Sequence, residues 1–482
     1  MRRCVTCLFT VYCILYTNMK KIFNRSGGIF LLLLILSAFS PLYAQQTSNS
    51  QTLESILTEA AEHLAVRNYS AALKLFDSLP PEYAQNTDIR ILHANVLNAA
   101  GRPADAKRIA NEIIAADSRN TEALMVLADA AVIENRERDR RSFLDRVISI
   151  DPHNVRALND LANINLINSN LRVAGNYFDR VLEVDPNNGE ALVGRASVYR
   201  YNRESKEAER LLNRAIVLYP AWARPFHERA RLYRGAGFYG DAIEDLRRAV
   251  SLEPDNYWVL VDYGQTLMEI NRPADALVYL NRAIEVSPND FMAYVYSSAI
   301  KDGQGDYAGA ETDYAALGRL KPDYYYAFEA LGIIRMRNKN WSGARDAFFE
   351  AYRQSPRDES YGYAILAALC SMRAGRQTDP RTFLNDVLRT TPRNTLNYSM
   401  LRLLYDLSGD SGVISQIERE RDPAEKSRML FYLAEYYDIR GQKTLAERYY
   451  LMVQDLDVDG QLEWRLNEIV LADRGLGYRS AR

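Results

Sequence analysis

Between residues 53 and 474 apolar residues recur at offsets of three and four, the spacing of one face of an α-helix, and the arrangement returns every 34 residues. Leu124/Leu127/Ala128, Leu158/Leu161/Ala162, Leu260/Tyr263/Gly264 and Phe328/Leu331/Gly332 form one stripe. A second stripe starts at Ala174, Ala208, Ala242, Ala276, Ala310 and Ala344, with Ala106 and Ala72 in the same register and Arg140 as the exception. Four residues after eight of these nine positions comes a bulky residue: Phe76, Leu144, Phe178, Leu212, Leu246, Leu280, Tyr314 and Phe348. Seven after it sits another apolar residue, usually small, as at Ala215, Ala249, Ala283 and Ala351. A methyl side chain lets a neighbouring helix come close, and the bulky residue fills the next gap. The pattern therefore predicts two helices per period.

Punctuation supports this division. Pro152, Pro186, Pro220, Pro254, Pro288, Pro322 and Pro356 are each 34 residues apart, in a chain of 482 residues with 16 prolines. Proline stops the preceding helix from running on. Asn120, Asn154, Asn188, Asn256, Asp290, Asp358 and Asn394 stand two residues after such a position, where a short polar side chain caps the N–H groups of a new first turn. Turns within each pair are expected at Arg67-Asn68-Tyr69, Gly237-Phe238-Tyr239, Gly305-Asp306-Tyr307 and Asn338-Lys339-Asn340-Trp341. A fixed period of this length is the mark of one small unit copied in tandem.

These residues resemble the tetratricopeptide repeat, whose pattern is W-x2-L-G-x2-Y…A-x3-F…P. Residues 325–358 match best, through Phe328, Leu331, Gly332, Ala344, Phe348, Ala351 and Pro356, with Arg335 at the usual tyrosine position. The resemblance implies an all-α fold, a right-handed superhelical α-solenoid of about 11–12 tandem helix-turn-helix repeats. Ten repeats occupy 53–392, starting at 53, 87, 121, 155, 189, 223, 257, 291, 325 and 359, the last with a two-residue insertion before Pro392. A degenerate stretch, a hinge or a worn repeat, follows over 393–426. A clear repeat returns at 427–460 with Leu430, Leu433, Ala434, Tyr437, Ala446 and Tyr450, and 461–474 reads as an amphipathic capping helix before a tail, 475–482.

The N-terminus reads as an address. Lys20, Lys21 and Arg25 precede the apolar run Ile29–Leu36, then Pro41-Leu42-Tyr43-Ala44, and no Asp or Glu occurs before Glu54. This layout predicts a signal peptide over 19–44 cleaved after Ala44, with Met19 as the start, 1–18 as a misassigned extension and 45–52 as a linker. The apolar run is shorter than the ~20 residues of a membrane span. The alternative is an uncleaved anchor that uses both apolar stretches, and either would be the only contact with a membrane. The expected location is outside the cytoplasm, in the periplasm. Cys4, Cys7 and Cys13 fall in the removed segment and Cys370 remains alone, so stability has to come from helix packing.

Charge and motifs remove most other functions. A net charge of −2 gives no basic field for nucleic acid. Gly235-Ala236-Gly237-Phe238-Tyr239-Gly240 matches G-x-G-x-x-G, but a nucleotide needs that loop between a strand and a helix, and here it joins two helices. Gly409-Asp410-Ser411-Gly412 resembles a protease nucleophile loop without the sheet framework that loop requires. His63, His93, His153 and His227 have no metal-ligand spacing. The expectation is a protein that is not an enzyme, with no cofactor and no metal.

In this family the first helix of each pair lines the concave wall, and its positions 2, 5, 9 and 12 meet ligands. By that resemblance the groove takes Arg156, Asn159 and Asn163, then Arg200, Arg224, His227, Arg231 and Arg234, then Trp258, Gln265, Met268, Tyr296, Tyr326 and Ile333. The bland reading of the charges is a solvated face. The sharper one is a slot for an extended acidic or C-terminal protein segment, with arginines on carboxylates, amides on backbone and rings as contact area. Asn159 and Asn163 match the family's two-carboxylate clamp only in part, so chaperone-tail binding does not carry over. The expected role is an interaction scaffold of the cell envelope. The alternative is a structural subunit of a polysaccharide export or synthesis machine, holding carbohydrate on the aromatic zone.

Overall fold

The computed structural model describes residues 50–375 and 380–476, and the regular structure among them is helical. The expected extension, the signal peptide, the linker up to residue 49 and the tail from residue 477 lie outside the described residues. The chain divides into two compact units, residues 1–253 and 254–482. The break falls at one of the periodic prolines, Pro254.

The first unit contains six helical pairs. They are α1 (Ser50–Ala65) with α2 (Tyr69–Asp77), then, after the single turn α3 (Pro81–Ala84), α4 (Thr87–Ala99) with α5 (Pro103–Ala116), α6 (Thr121–Ile133) with α7 (Glu137–Ile150), α8 (Val155–Ile167) with α9 (Leu171–Val184), α10 (Gly189–Tyr201) with α11 (Ser205–Leu218), and α12 (Ala223–Gly235) with α13 (Tyr239–Leu252). The second unit holds α14 (Tyr257–Glu269) with α15 (Pro273–Val286), α16 (Met292–Gly303) with α17 (Tyr307–Leu320), α18 (Tyr325–Arg337) with α19 (Trp341–Gln354), α20 (Arg357–Ala374) with α21 (Arg381–Thr390), α22 (Leu396–Asp406) with α23 (Asp410–Arg419), and α24 (Pro423–Ile439) with α25 (Lys443–Asp455), followed by the single helix α26 (Leu462–Asp473).

Every pair from α1 to α19 turns at one left-handed residue. Arg67, Gly101, Asn135, Ser169, Arg203, Gly237, Asn271, Gly305 and Lys339 all have φ between 55° and 81°, at the 34-residue period. Glycine takes this conformation without a steric penalty, whereas an L side chain strains it. Gly237 therefore serves the hinge inside α12/α13, which is what the G-x-G-x-x-G string amounts to. Helix starts follow the caps in most repeats. The side chains of Asn120, Asn154, Asn188 and Asn256 accept from the N–H groups of Ala123, Ala157, Ala191 and Val259.

Three expected caps do not form. Helix α16 starts one residue late, and Asp290 accepts from the Ser287 hydroxyl at 2.6 Å instead. Asp358 lies inside α20, which begins directly after Pro356. At α22 the cap is Thr395, whose hydroxyl accepts from the Tyr398 N–H, one residue beyond Asn394.

Packing within each unit follows the small–large rhythm. Ala72, Ala106, Ala174, Ala208, Ala242, Ala276, Ala310 and Ala344 are fully buried. Arg140, the exception, stays half-buried and donates to Asp160 at 3.2 Å. Gly264 and Gly332 admit the bulky partner of their own pair: a Cβ at Gly264 would lie 2.6 Å from Leu280, and one at Gly332 2.5 Å from Phe348. Each second helix packs on the next first helix, as α9 does on α10 and α17 on α18. First helices also touch the first helices of following pairs, among them α8 with α10, α10 with α12 and α14 with α16. The first helices thus form a continuous wall in each unit.

The second unit departs from regularity toward its end. Helix α20 runs 18 residues, passing straight through the position where a left-handed turn is due. The 393–426 stretch forms the short pair α22/α23 of 11 and 10 residues. Its Met400, Leu401, Leu403, Leu404, Val413 and Ile417 join the same buried cluster as α24 and α25.

Candidate functional site

In the first unit the candidate residues sit on α8, α10 and α12. They gather around a carboxylate that the positional reading did not include, Glu228. It lies one turn along α12 from Arg224 and Arg231, and its side chain is 13% exposed. Arg231 reaches it at 3.3 Å and Arg200 at 3.5 Å, while the Ser197 hydroxyl donates to it at 3.1 Å. Burial pushes the Glu228 carboxyl up, but Arg231, Arg200, His227 and Arg224 together hold it below the usual glutamate value. Arg224 pairs with Glu190 on α10. Arg200 and Arg231 thus meet Glu228 and Arg224 meets Glu190, beside the buried His227. Arg200 also lies over the exposed Tyr201 ring at 4.4 Å, a planar stack that carries a cation at an open surface. Arg234, one turn beyond Arg231, is half-buried.

Toward α8 the same wall becomes amide-rich. The Asn159 side chain donates to Asn188 Oδ1 at 3.2 Å, so it leans on the cap of the next first helix. Its own Oδ1 is buried and accepts no hydrogen bond among the described residues. Such an acceptor is costly unless something supplies a donor. Asn163, one turn further along α8, is half-buried. Arg156 is held by both oxygens of Asp129, at 2.6 and 2.7 Å, and so belongs to a salt bridge between α6 and α8.

In the second unit the aromatic candidates split by exposure. Trp258 is 55% exposed, edge-on to Tyr257, and Tyr326 is 53% exposed against the rings of Tyr324 and Tyr325. Neither is consumed by packing between pairs. Tyr296, Gln265 and Met268 are half-buried. Ile333 does not reach a surface: it is 2% exposed, in the hydrophobic core shared with α20, α22 and α24.

The positional reading also missed a ladder on the second helices. Arg180, Arg214, Arg248 and Arg282 share the 34-residue register, and each bonds the loop that leads into its own pair. Arg180 donates to Pro152 O at 2.7 Å, Arg214 to Asn187 Oδ1 at 2.8 Å, Arg248 to Pro220 O at 3.3 Å and Arg282 to Asp255 at 2.6 Å. The signal was present as an arginine periodicity. A surface hollow of about 480 Å³ lies on α7 against Arg138, Arg141, Asp145 and Arg146. Among the described residues no His, Cys, Asp or Glu group is placed to hold a metal ion, and no helix is long and apolar enough to cross a membrane.

Models of the tetratricopeptide repeat match residues 159–221, 233–296 and 301–359. This chain is a tetratricopeptide-repeat protein. Together the three matched stretches fall on the helical pairs from α8 to α19 described above. Solved structures similar to this repeat protein include a tetratricopeptide repeat protein from Parabacteroides merdae, 16% identical with TM-score 0.42 over 52% of this chain and 99% of that one. Another is PilF of Pseudomonas aeruginosa, 18% identical with TM-score 0.39 over 42% and 92%. A third is YrrB, described as a TPR protein with an unusual peptide-binding site, 21% identical with TM-score 0.33 over 39% and 95%. No curated protein matches the chain.

Proposed function

We propose that this repeat protein is a non-catalytic scaffold that holds an acidic protein segment against the first-helix wall of its first unit. The observation that carries this reading is the cluster of Arg200, Arg224 and Arg231 on the first-helix wall around Glu228. A partner carboxylate entering there meets guanidinium groups that can hold it through forked, charge-assisted bonds. The half-buried amide side chains of Asn159 and Asn163 offer hydrogen bonds to the backbone of the same segment. The sequence pattern of residues 19–44 supports a setting outside the cytoplasm, in the cell envelope.

The test uses photo-crosslinking at the Tyr201 position in cells, with identification of what is captured. Replacing Arg224 and Arg231 with Glu is expected to lower capture of that partner roughly tenfold or more, one to two charge-assisted contacts' worth. Circular dichroism should stay helical. Undiminished capture by the folded double variant would remove this face from the function.

The exposed Trp258 and Tyr326 favour a second reading, a carbohydrate-holding subunit of a polysaccharide machine. Retention of glycans by the wild-type chain, lost in Trp258→Ala, would decide for it.

A further inference from the structure

Helix α26 does not simply cover the last pair. Its Asn467 donates to Tyr450 O at 3.1 Å, and Leu466 and Leu471 are 1% exposed in the shared hydrophobic core, as a capping helix requires. Yet Arg465 forks onto both oxygens of Asp302, at 2.7 and 2.9 Å, and Asp302 ends α16, four pairs earlier in the chain. Glu463 accepts from the Tyr432 hydroxyl on α24 and lies where a side chain at Gly362 of α20 would meet it. Lys339, in the turn after α18, pairs with Asp473 at 3.2 Å. One helix therefore contacts the first helices α16, α20 and α24 of the second unit, the wall on which ligands of this repeat family are expected.

We propose that α26 is a displaceable internal ligand of that wall, and that a partner helix of the same chemistry competes with it. Charge complementarity states that chemistry. The wall presents Asp302 at one end, and at the other Asp438, which Arg474 reaches at 2.6 Å just after α26. The competing helix is apolar on one side, with an arginine before and after the apolar stretch.

The seat is polar enough to be left. Alongside the buried leucines, docking buries Glu463, which is 4% exposed, and Asn467, which is 1% exposed. The acceptors Gln461 Oε1 and Asn467 Oδ1, and Ser427 Oγ and Arg428 Nε on α24, are buried without hydrogen-bond partners among the described residues. Each such group subtracts from what apolar burial contributes. An element with this composition opens before the core does. The inference stands apart from the arginine face of the first unit, and its test does not bear on that face.

The probe is a fluorescein-labelled peptide of residues 461–475, titrated into the full chain. It should bind the Arg465→Glu chain about tenfold or more tightly than the wild type, because the wild-type seat is occupied. Hydrogen exchange supplies a second readout. In Arg465→Glu the amides of 462–473 should lose protection while those of α24 and α25 keep it, and the charge swap Arg465→Glu with Asp302→Arg should restore it. In the wild type, 462–473 should already exchange about tenfold faster than α24. Equal peptide affinity for both chains, or exchange of α26 only together with α24 and α25, overturns the proposal. Should Arg465→Glu fail to fold, the wild-type exchange rates alone decide.

Discussion

At the scale of single residues, two buried glutamates show how position sets chemistry. Glu228 is held below the ordinary carboxylate value because its basic neighbours, Arg231 and Arg200 foremost, outweigh its burial. Glu463 is pushed above it, because burial dominates over the Tyr432 hydrogen bond and the Arg428 charge, with Glu329 adding repulsion. A carboxyl whose folded pKa is raised stabilises the fold below its unfolded value, near 4.5, and that contribution is lost as pH rises through the folded pKa. Urea unfolding of the wild type and of Glu463→Gln should therefore diverge with pH: relative to the glutamine variant, the wild type weakens from pH 5 to 8. A difference that does not change across that range would show that Glu463 does not titrate in the docked helix. No residue spacing announces either shift. Both depend on which charges converge after folding.

At the scale of elements, the sequence pattern was close to complete. Starts expected at 87, 121, 155, 189, 223, 257 and 325 coincide with helix starts, since the signals are local: an asparagine cap, a proline stop, an alanine stripe. Of the misplaced caps, Asp290 is engaged by the Ser287 hydroxyl, Asp358 lies inside a lengthened helix, and Asn394 gives way to the Thr395 hydroxyl. The arginine ladder was also written in the chain, but its meaning required the loops. Arg180 bonds Pro152 O, whereas Arg146, one period earlier, lines the open hollow on α7. Arg180→Ala should cost about 1 kcal/mol in urea unfolding, the net worth of such a bond, and Arg146→Ala close to nothing. Equal losses would mean that the ladder does not tie loops to helices.

At the scale of the whole molecule, the repeat is the unit of construction. Removal of residues 189–222 joins Asn188 to Ala223, so the cap that now serves α10 would serve α12. The shortened chain should keep its helicity per residue by circular dichroism, because each pair depends chiefly on its neighbours. Removal of residues 189–205 takes out α10 and leaves α11 without its partner helix, and helicity should fall. If both deletions behave alike, the stacking rule does not govern this chain.

The sequence by itself determined the repeat, its length, the two-helix content of each copy and the side of each helix that meets the next, because these follow from contacts that recur at fixed short separations. The tertiary structure alone decided that Glu228 stands at the centre of the arginine face, that Ile333 is core and Trp258 is not, and that α26 lies on first helices as distant as α16. Arg465 and Asp302 are separated by 163 residues. A periodic pattern specifies how neighbours stack, and it is the accumulated geometry of several stacked pairs that brings such distant charges to within a hydrogen bond.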